Sequence, residues 1–105
     1  MLLVLDRDNC LYIHDSVSDA EAHLETIDVE DGEYKFCDET GQSYAGEVLE
    51  PVTKCSSGAF RIVPQGARDP NLPAAFVSRA FECWSRVPEL KSLADARARF
   101  SPTKA

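Results

Sequence analysis

The sequence predicts an α+β domain: a mostly antiparallel sheet of four to five strands, in the order ββα-ββ(β)-αα, with two to three helices packed on it. Three observations carry this. Short apolar runs come in pairs joined by turn formers, a capped helical stretch follows the first pair, and the strongest 3.6-residue periodicity lies in the last third of the chain.

Residues 2–6 and 11–14 flank Arg7-Asp8-Asn9-Cys10 and read as a β-hairpin. Leu2-Leu3-Val4-Leu5 is apolar at every position, which suits an internal strand covered on both faces. A helix is expected from Ser16 to about Ile27. Ser16 with Asp19, and Ser18 with Glu21, each supply a cap signal, and Val17, Ala20, Leu24 and Ile27 form a narrow apolar stripe. Asp19 and Glu25 are then expected on the solvent face, with Glu21 and His23 on its flanks.

The acidic turn Asp28-Val29-Glu30-Asp31-Gly32-Glu33 leads into a second hairpin, Tyr34–Cys37 with Ser43–Leu49, ended by Pro51. A fifth strand is expected at Ala59–Val63, stopped by Pro64-Gln65-Gly66. Leu72 to about Val87 is read as one helix with Phe76, Val77, Ala80, Phe81, Trp84 and Val87 on a buried face. Pro88 breaks it, and Ser92 caps a short last helix to Phe100. The expected domain is 1–100, with 101–105 a frayed tail.

A chain of 105 residues buries roughly two thirds of its unfolded surface, enough for a core without disulfides. The five apolar residues at the start fall short of a signal-peptide core, and no apolar run could cross a bilayer, so a cytoplasmic protein without membrane contact is expected. Cys10, Cys37, Cys55 and Cys83 show no CxxC pattern and read as reduced, buried or idle thiols.

Charge is unevenly placed. Residues 1–50 hold fourteen acidic groups against two basic ones, whereas residues 51–105 hold four against nine, within an overall net charge of -7. The basic half, beside so acidic a partner half, argues against direct nucleic-acid binding. Calcium is disfavoured because Gly32 and Glu33 stand at the wrong positions of an EF-hand loop counted from Asp28. His14 and His23 suggest no third ligand and read as two separate, partly exposed histidines, and no cysteine or serine sits in a nucleophile motif. No cofactor and no metal is therefore expected.

These readings lead to a small non-enzymatic module that docks a basic protein through Asp19, Glu25, Asp28, Glu30, Asp31 and Glu33, by the charge logic of an inhibitor or immunity protein. The alternative is a homodimer formed through the second helix. An enzyme or small-ligand protein using His14, His23 and Cys10 ranks third.

Overall fold

A computed structural model describes residues 1–100; the expected frayed tail lies outside the described residues. The elements are β1 (Leu2–Asp6), β2 (Cys10–His14), α1 (Val17–His23), α2 (Thr26–Glu30), β3 (Tyr34–Asp38), β4 (Gln42–Glu50), β5 (Ala59–Arg68), α3 (Leu72–Arg79), β6 (Glu82–Ser85) and α4 (Leu93–Arg99). The strands form one mixed sheet in the order β5-β4-β3-β1-β2-β6, and only the β2–β6 contact is parallel. The α+β class and the mainly antiparallel sheet agree with the sequence. The described residues hold six strands and four helices, more of each than the sequence predicts.

β1 is internal, between β2 and β3. Its side chains alternate between two cores, as a fully apolar strand requires. Leu3 and Leu5 join Leu11, Ile13, Cys37 and the inner faces of α3 and α4, while Leu2 and Val4 join Ala20 of α1, Phe36 and Ile62. The turn into β2 is closed by Asn9 at φ 61°, a left-handed conformation that asparagine tolerates better than most residues, and by the Asp6 carboxylate, which accepts from the amides of Asp8 and Cys10.

The expected helix from Ser16 to Ile27 is two helices. Ser16 does cap the start, its hydroxyl accepting from the Asp19 amide at 3.0 Å. Leu24 and Glu25 are extended, however, and α2 restarts at Thr26. That break resets the helical phase, so Thr26 is buried and Ile27 faces solvent, whereas one continuous helix would have put Ile27 on the stripe. Gly46 of β4 lets α2 approach, because a Cβ there would stand 2.5 Å from Val29 Cγ1.

Two further corrections concern the second half. β5 continues through Pro64 to Arg68, since it is the outermost strand and an edge can accept a proline. The predicted helix 72–87 ends at Arg79. Ala80 turns extended, and Glu82–Ser85 pairs with β2 in the register Cys10↔Glu82 to Ile13↔Ser85, reinforced by Phe81 N–H donating to Asn9 and Arg86 N–H to Ile13. The helical stripe is real only as far as Ala80: Phe76, Val77 and Ala80 are buried, but Phe81 and Trp84 are 78% and 63% exposed. A free edge on the apolar strand β2 is the stronger demand, and an aromatic-containing segment meets it as a strand. Ser92 caps α4 with a reciprocal Asp95 capping box, as its sequence suggests. No helix of the described residues is long and apolar enough to cross a membrane.

Candidate functional site

Three elements converge at one end of the β2–β6 pair. β2 ends on His14, α1 carries Asp19 and His23 one turn apart on a single face, and Arg86 follows β6, whose parallel register sets it beside His14. His14 Nδ1 lies 2.9 Å from Asp19 Oδ2, and His23 Nδ1 lies 3.5 Å from Asp19 Oδ1 and 2.7 Å from the Asp19 carbonyl oxygen. Arg86 Nε donates to both carboxylate oxygens at 3.1 and 3.2 Å. The two imidazoles stack with centroids 6.1 Å apart.

Burial pushes the Asp19 carboxyl up, but the hydrogen bonds from His14 and Arg86 outweigh it and hold the group below the usual carboxylate range. The His14 side chain is only 6% exposed, and its Nε2 has no hydrogen-bond partner among the described residues. Leaving a buried polar atom unmatched costs about 1–3 kcal/mol. His14 is thus held by one polar contact, to Asp19, with its other nitrogen unmet. The sequence reading of two separate histidines is overturned: the fold stacks them around a shared carboxylate.

Beside this cluster runs an open groove of about 560 Å³. His14, His23 and Arg86 line one end, Tyr12, Tyr34 and Trp84 supply aromatic surface, and Glu25 and Asp28 supply carboxylates. Tyr12 and Tyr34 meet edge to face at 6.5 Å. Burial first, and the neighbouring carboxylates of Asp6 and Asp28 with it, push both phenols upward, so the hydroxyls remain neutral donors, Tyr12 to Asp6 and Tyr34 to Asp28.

The six carboxylates singled out by sequence separate into two groups. Asp19 is drawn into the histidine cluster and is not on an open solvent face. Glu25 sits at the α1–α2 junction, Asp28 and Glu30 on α2, and Asp31 and Glu33 in the turn that follows. Among the described residues none of these five carboxylates forms an ion pair, whereas Asp19 is shared by three basic groups. Glu30 accepts from the Val52 amide at 2.9 Å, and Arg7 donates to the Asp31 carbonyl, contacts that fix the turn without an ion pair to its carboxylates among the described residues.

The thiols do not converge on this site. Burial pushes Cys37 up to about 12 and Cys83 up to about 11, and raises Cys10 as well, so these three are neutral thiols at physiological pH. Cys55 is exposed on the loop between β4 and β5.

Sequence reasoning weighed His14 and His23 but set them apart as separate histidines, placed Trp84 on a buried helix face, and gave Arg86 no part in a site. The four-residue offset of Asp19 and His23 was a local signal for one pair. Nothing local announces Arg86 or Trp84, because β6 brings them to β2 from some seventy positions away. Comparison of the chain with protein-family models, with curated proteins and with solved structures finds no match.

Proposed function

We propose that this chain is a non-enzymatic binding module that docks a basic protein through α2 and the turn after it, with Glu25, Asp28, Glu30, Asp31 and Glu33 as the contact charges. The observation that carries the reading is that these five carboxylates crowd into nine residues and have no ion-pair partner among the described residues, where Asp19, Glu39 and Glu47 do. Uncompensated charge on one short segment steers a cationic partner and makes association fast and salt-sensitive. The adjoining groove adds what charge alone lacks. Trp84 offers an exposed aromatic face for a lysine or arginine side chain, with Glu25 and Asp28 close by. The same surface repels nucleic acid.

The test is retention of a basic protein from native lysate on the immobilised chain at low and high salt, with the Glu30→Lys/Asp31→Lys variant in parallel. Retention at low salt that falls in high salt and in the variant is expected; retention indifferent to both ends the proposal.

A second reading, a homodimer, is favoured by one feature. β6 is an edge strand whose outer side is unpaired among the described residues, and Phe81 and Trp84 stand exposed on and beside it. The contact would then lie on β6; the apolar face of α3, the second long helical stretch of the sequence, is turned inward onto the sheet.

A further inference from the structure

We propose that His14, Asp19 and His23 form a binding site for a divalent transition-metal ion of the zinc class, with Arg86 supplying the positive charge opposite Asp19 when the ion is not there. The proposal does not depend on the docking of a basic partner.

The donor set selects the metal. Two imidazoles and one carboxylate suit zinc and its borderline neighbours, whereas calcium and magnesium ask for oxygen donors throughout. One donor atom from each of the three residues lies within 4.8 Å of the others. Donors around a tetrahedral ion with bonds of about 2.0–2.1 Å stand about 3.3–3.4 Å apart. The 2.9 Å from His14 Nδ1 to Asp19 Oδ2 and the 3.5 Å from His23 Nδ1 to Asp19 Oδ1 lie near that spacing, so a turn of the carboxylate and of the His23 ring would bring one oxygen and both imidazoles round a single ion.

The frame is already rigid. His14 is fixed by the sheet and by burial, with Nδ1 turned to Asp19. Asp19 is set at the third position of a capped helix and His23 one turn on. The His23 ring is half-exposed and can turn from the Asp19 carbonyl to present a lone pair. Arg86, half-exposed, is the group displaced. Three protein donors leave a fourth position for water or a ligand in the adjoining groove, where Glu25 and Asp28 add negative potential.

The experiment is calorimetric titration of the Cys55→Ser full chain with zinc chloride at neutral pH, the substitution removing the one exposed thiol. One ion per chain is expected. His23→Gln and Asp19→Asn should each weaken binding by at least about tenfold, a loss already reached when only an outer-shell partner is removed. Arg86→Gln should tighten it severalfold by removing the competing charge. Cobalt(II) should give a tetrahedral spectrum without a thiolate charge-transfer band. His23 and Arg86 face solvent, so neither variant threatens folding. Absence of saturable binding, a His23→Gln protein that binds as the parent does, or a thiolate band overturns the site.

Discussion

At the scale of single residues the informative group is Asp19, whose carboxylate faces two histidines and an arginine at once. Its pKa lies below the ordinary value, so the stabilisation it gives is fully present above the unfolded carboxylate range, near pH ~3.9, and is lost as pH falls through the lower folded value. Asp38 follows the same sign. Burial raises its carboxyl, and the Thr40 hydroxyl and the amides of Gln42 and Thr40 overcome that rise by bonding the charged form. Asp19→Asn should therefore lower stability at pH 7 by about 1 kcal/mol, a charged hydrogen bond discounted for partial exposure. The difference from the parent should shrink as the pH is taken from 7 towards about 2, because Asp19 loses its charge as the pH falls through its folded value. Urea unfolding at the two pH values checks this, and an equal deficit at both would mean that the contribution is not electrostatic.

Among the elements, what was legible in the sequence is what local chemistry decides. The first hairpin, the Ser16 and Ser92 caps, the β3–β4 hairpin and the internal position of β1 all follow from residues within a few positions of each other. The stretch 72–87 was misread because Phe76, Val77, Ala80, Phe81 and Trp84 satisfy a helical period, while the competing demand, an open edge on β2, is set by a segment about seventy residues earlier. The candidate site failed to show for the same reason. Its acidic turn is contiguous and was visible, but the histidine cluster needs β2, α1 and β6 assembled before its members are neighbours. The difference is measurable: Phe76→Ala should cost about 3–5 kcal/mol, and Trp84→Ala should stay within about 0.5 kcal/mol. Comparable losses in the two variants, read by denaturant midpoints, would return Trp84 to the core and restore the single helix.

For the whole molecule the sequence left open whether its acidic and basic halves segregate. They interlock in part. Arg61 pairs with Glu47, Arg86 with Asp19 and Arg99 with Glu39, each joining the second half to the first, so basic residues are spent on carboxylates away from α2. None of these pairs involves the five carboxylates on and beside α2, and this also bears on self-association. Two copies meeting through β6 would bring Phe81 and Trp84 together without bringing their α2 turns into ion pairs. Such a dimer should persist in high salt, whereas the basic partner should not. Light scattering at tens of micromolar with the parent and Trp84→Lys decides it: a mass of two chains that halves in the variant supports the dimer, and a single-chain mass for the parent removes it.

The parallel seam between β2 and β6 has a consequence in time as well as in space. Ribosomes deliver a chain from its N-terminus, so His14, Asp19 and the whole acidic turn emerge well before Trp84 and Arg86 exist. Until residue 86 arrives, β2 has a bare flank, the groove lacks a wall and Asp19 lacks its arginine. A ligand that read the groove would therefore tell chains in which β6 has paired with β2 from those in which it has not.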